Sequence, residues 1–209
     1  MIDGAWVYEN GWQIFMLLVD HLQLVGVSLL IGALAAALMI LLVLWQPTLS
    51  RPLTYLSGVL FTVPSLALFI LLMPLTGLSK TTSVIGLSAY SLLIILQNTL
   101  AGFDSAPAEI LEEARALGYT RFQRFVSVEL PLAMPTIVAG LRTTAVTLIG
   151  LVTVTAVIGQ GGLGQLFVTG LTLDFSTPVI VSLVLTVALA LFFDFAFYIA
   201  EKLLFPWER

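Results

Sequence analysis

Apolar residues along this chain gather into runs of membrane length. Five stand out, at about 22–45, 54–75, 82–103, 134–158 and 178–203. Each is near the roughly 20 residues a helix needs to cross the hydrocarbon core. The runs predict helices, because a lone strand cannot satisfy its backbone polar groups in lipid. The alternating segments of about 10 residues that build a membrane barrel are absent. Polar positions concentrate between the third and fourth runs. That stretch holds Arg115, Arg121 and Arg124, three of the eight Lys/Arg, and Glu109, Glu112, Glu113 and Glu129, four of the twelve acids. An island of charge between membrane-length runs has to face water.

Composition agrees with an all-α integral membrane protein. The chain has 209 residues, 59% hydrophobic and 10% charged, with mean hydropathy +1.09. Soluble domains carry about 25% charged residues. There is no cysteine, so disulfides and thiolate metal sites are excluded, and one histidine argues against a His-based metal or catalytic centre. Basic residues are too few and scattered for a nucleic-acid surface. The N-terminus has Asp3, Glu9 and Asp20 but no Lys or Arg before Arg51, so it lacks the basic start of a signal peptide and residues 1–20 are expected to be retained. Trp6, Tyr8 and Trp12 predict a short interfacial helix over 5–18. No repeat or linker divides the chain, which reads as one domain, 1–209.

Charge sidedness sets the orientation. With the N-terminus outside and five spans, the inner side receives Arg51, Arg115, Arg121, Arg124, Arg142, Lys202 and Arg209. Lys80 alone falls outside. The island, taken as 105–131, is therefore predicted to be cytoplasmic, as is the C-terminus.

Several features could carry chemistry. Pro64, followed by Ser65, lies inside the second run and predicts a kink; the kink lines a path or serves packing alone. Gln97, Asn98 and Thr99 are polar in the third run and either bond neighbouring helices or line the route. Arg142 and Asp194 are costly inside membrane runs and are expected at similar depth, where they can pair. His21, near the outer end of the first run, reads as an interfacial histidine. Gly159, Gly161, Gly162 and Gly164 fit G-x-G-x-x-G, but after a membrane run and with no acid near 20 residues on. That context excludes dinucleotide binding and predicts a flexible or tightly turned external loop. No phosphate loop of the G-x-x-x-x-G-K-[ST] type occurs, and no nucleophile–base pair stands out. No catalytic residue, metal site or cofactor is expected in this chain; any ATP would be used elsewhere.

The island has internal structure. Glu109–Leu117 contains good helix formers, and Pro107 suits the first turn. Gly118 can end that helix left-handed, and Thr120 can cap a second helix to about Val128. Glu112-Glu113-Ala114, three residues, Gly118, nine residues and Val128-Glu129-Leu130-Pro131 resemble the EAA signature, E-A-A-x3-G-x9-I-x-L-P, of ABC importer permeases. Glu113 replaces the first alanine and Val128 the isoleucine.

Five spans with the signature between the third and fourth look like the methionine-importer-type permease fold. Pro64-Ser65-Leu66-Ala67-Leu68, Gln97-Asn98-Thr99-x-x-Gly102 and the glycine run resemble the osmoprotectant branch, which imports glycine betaine, carnitine and choline. The resemblance implies a coupling role for Glu112, Glu113, Ala114, Gly118, Leu130 and Pro131. It also implies a path past Pro64, Ser65 and Asn98. The implied partners are a cytoplasmic ATPase dimer carrying ATP and Mg, a second permease subunit, the same or related, and an extracytoplasmic substrate-binding protein. The implied location is the bacterial cytoplasmic membrane. An importer of methionine or another small amphiphile is the alternative in this class. A channel or proton-coupled carrier using Asp194, or a non-transporting scaffold, would be a different class, and neither needs an ATPase-docking loop.

Overall fold

A computed structural model describes residues 2–206, and no strand occurs among them. Four helical stretches are long and apolar enough to cross a membrane: Gly11–Trp45, Lys80–Asp104, Arg121–Ile158 and Ser176–Leu204. A bent pair supplies a fifth if its two arms count as one span. Arg209, one of the inner-side cations of the charge argument, lies outside the described residues.

The N-terminal region departs from expectation. Helix α1 covers only Gly4–Glu9, capped by the Asp3 carboxylate, which accepts from the amides of Ala5 at 3.0 Å and Trp6 at 3.2 Å. Helix α2 then runs unbroken from Gly11 to Trp45. The predicted interfacial helix over 5–18 is therefore corrected, since residues 11–18 are the first turns of α2, and so is the predicted start of the first span at 22. The reason is local. No proline interrupts 11–22. The polar residues just before the predicted start have partners in the fold. Asp20 accepts from the Lys80 ammonium at 2.7 Å, and His21 is buried. At about 1.5 Å per residue, α2 is near 52 Å long, well beyond a ~30 Å hydrocarbon core.

The second run is also corrected: it is two helices, not one kinked helix. Helix α3 is Ser50–Thr62 and α4 is Ser65–Thr76, set at 96°. Val63 is extended, with φ −66° and ψ 123°. A residue before proline is pushed into that region by the pyrrolidine ring, and Pro64 has no N–H to continue the helix. Tyr90 secures the break, its hydroxyl donating to the Val63 carbonyl at 2.5 Å. Phe61 meets the Tyr90 ring edge-on at 5.7 Å.

Helix α5, Lys80–Asp104, is central and packs against α2, α3 and α4. Small residues permit the approach. A Cβ on Gly32 would fall 1.6 Å from Ser91 Oγ, and one on Gly86 2.5 Å from the Phe69 ring. Between bilayer helices such close contact replaces the hydrophobic drive that lipid removes. After α5 come α6 (Ala108–Ala116), α7 (Arg121–Arg124) and α8 (Leu130–Val154). Helix α8 packs on α5, and α10 (Ser176–Leu204) packs on α8 and on α9 (Gly164–Thr172).

Candidate functional site

The charged island folds as a helix–turn–helix joined to α8. Helix α6 closes on Gly118, whose φ is +81°. Its amide donates to the Arg115 carbonyl at 3.0 Å, and the Tyr119 amide reaches back to Ala114 at 3.1 Å. This pair of bonds is the glycine-dependent Schellman closure. Thr120 and Gln123 form a reciprocal cap: the Gln123 amide donates to Thr120 Oγ1 at 3.2 Å and the Thr120 amide to Gln123 Oε1 at 2.9 Å.

The second helix does not stop near Val128 as expected. One π turn, Phe125–Glu129, leads directly into α8. Pro131 lacks an amide proton, and a wider turn relieves the clash of its ring with the carbonyl of Ser127, four residues before it. The wider turn also brings Arg124 over Glu129, five residues on, where Nε donates to Oε1 at 2.5 Å. Arg121 Nη2 donates to the Leu44 carbonyl at 2.8 Å, joining the island to the last turn of α2.

The predicted coupling residues are placed differently from one another. Glu112, Glu113 and Gly118 are exposed, Ala114 is buried, and Leu130 and Pro131 are half-buried. Leu117 is 77% and Phe122 74% exposed, so large apolar side chains project from a charged segment.

Arg142 and Asp194 come together. Arg142 Nε donates to Oδ1 at 2.6 Å and Nη2 to Oδ2 at 2.7 Å, a fork-on-carboxylate arrangement. Glu201 lies 3.9 Å from Arg142 Nη1, and the Tyr198 ring centre 5.7 Å from its Cζ. One face of α10 thus surrounds one cation of α8. Pro64, Ser65 and Asn98 do not form one cluster by hydrogen bonding. Pro64 is exposed at the bend and Ser65 half-buried beside it. Asn98 Nδ2 donates to the Ile94 carbonyl of its own helix at 2.8 Å. Its Cβ faces Gly140 of α8, where an added Cβ would lie 2.5 Å away.

Residues 26–205 match the family described as binding-protein-dependent transport system inner membrane component. The match covers most of the chain. The protein belongs to that family. The choline transport system permease protein OpuBB of Bacillus subtilis is 32% identical over 197 residues, covering 94% of this chain and 91% of that one. The osmoprotectant import permease protein OsmW of Salmonella typhimurium is 32% identical over 206 residues, with 96% of each chain covered. Among solved structures, the MetNI methionine ABC transporter in an inward-facing conformation matches with TM-score 0.81 at 24% identity, covering 92% of this chain and 98% of that chain. That likeness establishes the fold. The binding-protein-dependent inner membrane component is a transport subunit, not an enzyme, and the ATPase of its system is a separate chain.

Within this permease the glycine run is a turn that starts at the exposed Gly159 and is buried over 161–164. Gly159, Gly161 and Gly162 have φ of +76°, +115° and +50°. A Cβ on Gly162 would lie 2.6 Å from His21 Cα, and one on Gly164 2.5 Å from the Thr153 carbonyl oxygen. The turn is seated against α2 and the end of α8. The interfacial reading of His21 is corrected accordingly: the ring is fully buried and its Nε2 pairs with the Ile149 carbonyl at 3.0 Å. Four glycines in six residues were the available signal, because crowded glycines mark close backbone approach as well as flexible loops. Sequence reasoning also missed α9, although Leu163, Leu166, Phe167 and Leu171 repeat at helical spacing. Among the described residues no group of three His, Asp or Glu side chains could hold a metal.

Proposed function

We propose that this chain forms part of the translocation path of an ATP-driven importer of quaternary-amine osmoprotectants, such as choline, glycine betaine and carnitine. The path lies between this permease and a second, the same or related. The island docks on a cytoplasmic ATPase dimer, where ATP and Mg are bound, and an extracytoplasmic binding protein delivers cargo. The observation that carries the coupling reading is the exposed turn at Gly118, flanked by Leu117 and Phe122 and continuous through the π turn with α8. Motion imposed on the turn reaches a membrane helix without a flexible joint, as a rigid-body switch requires. Relatives that are permeases for choline, for glycine betaine and carnitine, and for osmoprotectants support the substrate class.

Five spans, with the N-terminus outside and the C-terminus in the bacterial cytoplasm, fit two contacts. Asp20 with Lys80 joins the early part of α2 to the start of α5. Arg121 with Leu44 joins the island to the end of α2. The chain between Trp45 and Lys80 then has to cross, so the bent α3–α4 pair counts as one span.

Reconstitution with the cognate ATPase and binding protein tests the reading. ATP-dependent uptake of labelled glycine betaine or choline is expected. ATP-dependent uptake of methionine with no betaine or choline uptake would replace the substrate class, and uptake without ATP would defeat the coupling assignment.

A further inference from the structure

A cleft of about 680 Å³ opens between the end of α2, the end of α5 and the island. Its walls are apolar, including Leu41, Leu44, Leu100, Phe103 and Phe125, with Trp45 at the rim. Leu41 is 58% exposed and adjoins the exposed Leu38 and Leu42 on α2, so the wall continues into an uncovered apolar surface. Four charged side chains line the same cleft: Asp104, Arg121, Arg124 and Glu129. Arg124 and Glu129 neutralise each other. Among the described residues Arg121 and Asp104 form no ion pair. Arg121 spends one guanidinium nitrogen on the Leu44 carbonyl and keeps its remaining donors, and Asp104 makes no side-chain hydrogen bond. Among the described residues the cleft therefore offers an apolar slot, an exposed tryptophan, and one cation and one anion outside any ion pair.

We infer that this cleft binds a single zwitterionic aminophospholipid. An acyl chain lies along Leu41, Leu44 and Phe103, the phosphate meets Arg121, and the ammonium meets Asp104. A singly anionic headgroup would satisfy Arg121 but face Asp104 with like charge. A soluble zwitterion would leave the apolar walls uncovered. Arginine suits the phosphate because its planar donors match the oxygens. Trp45 suits the depth, since tryptophan favours the boundary between acyl chains and headgroups. The inference does not depend on which solute the permease carries.

Native mass spectrometry of the purified full chain, titrated with palmitoyl-oleoyl phosphatidylethanolamine and the matching phosphatidylglycerol, tests it. The wild type is expected to retain one phosphatidylethanolamine in preference to phosphatidylglycerol. Arg121→Gln should weaken both lipids about tenfold, the loss of one charge-assisted contact. Asp104→Asn should weaken phosphatidylethanolamine about tenfold and leave phosphatidylglycerol equal or tighter. Leu41→Trp, at an exposed position, should fill the slot and release both lipids with the melting temperature unchanged. Equal retention of the two lipids by the wild type, or retention unaltered by Arg121→Gln and Asp104→Asn, would overturn the assignment. So would displacement of phosphatidylethanolamine by equimolar glycerophosphoethanolamine, which has the headgroup without acyl chains.

Discussion

The turn at Gly118 and the turn at Gly159–Gly164 flank the same long helix, α8, and both rely on left-handed glycines. Their surroundings are opposite. Around Gly162 and Gly164 the chain's own backbone fills the space a side chain would take, whereas nothing lies within 4 Å of a Cβ added to Gly118. The turn around Gly162 is finished by its own fold. The Gly118 turn is closed on itself by hydrogen bonds but leaves its outer surface bare, with Leu117 and Phe122 exposed. A turn buried by its own chain contributes to stability. A turn equally well formed and left uncovered has its outer surface free for contact, as the proposed ATPase docking requires.

Substitutions at the two turns should separate these roles. The largest effect is expected from Gly162→Ala, which places a methyl 2.6 Å from His21 backbone in a left-handed conformation. Overpacking and strain together should cost about 3 kcal/mol or more, read as a lower melting temperature and poor membrane yield. Gly118→Asp should act without unfolding the chain, because aspartate tolerates the left-handed region and meets no neighbour there. Uptake and assembly with the ATPase should fall about thirtyfold, the scale of one interface hot spot, with the melting temperature unchanged. Intact uptake and assembly in Gly118→Asp would remove the contrast between the turns.

Asp194→Asn tests a third region, one that is neither bare nor enclosed. It leaves Arg142 without its two-point partner, and a fall in melting temperature smaller than that of Gly162→Ala is expected. In a double-mutant cycle with Arg142→Gln the pair should be non-additive; additive losses would mean that the contact contributes nothing of its own. The smallest effect belongs to Thr120→Ala, which removes the cap on Gln123. It should raise amide exchange within the island by about 1 kcal/mol of local protection, with global stability unaltered.

Much of this architecture was legible. Apolar runs located the crossing helices because lipid imposes length and hydrophobicity directly on the sequence. The Schellman closure at Gly118 and the Thr120 cap were legible because both are local, set within a few residues. The misreadings share a different cause. His21 read as interfacial and the first run as starting near 22, but Ile149 and Lys80, the partners of His21 and Asp20, are distant in sequence. Pro64 announced a disturbance and not its size, since Tyr90 on another helix holds the break at Val63. The π turn sits just before Pro131, and a proline read by itself suits a helix start without revealing the wider turn ahead of it. The Arg142–Asp194 contact was foreseeable from depth alone, because few charges share a membrane level.

The 96° break at Val63–Pro64 bears on how the protein enters the bilayer. The arms of 13 and 12 residues are near 20 and 18 Å long, short of a ~30 Å core. Neither arm crosses such a core by itself. The Val63 carbonyl stays without its tertiary partner until Tyr90 has emerged some 27 residues later. The first helix is long enough to lie across the membrane as soon as it is made, whereas the bent pair gains this contact only once α5 has been made. The order of synthesis is therefore not the order of completion.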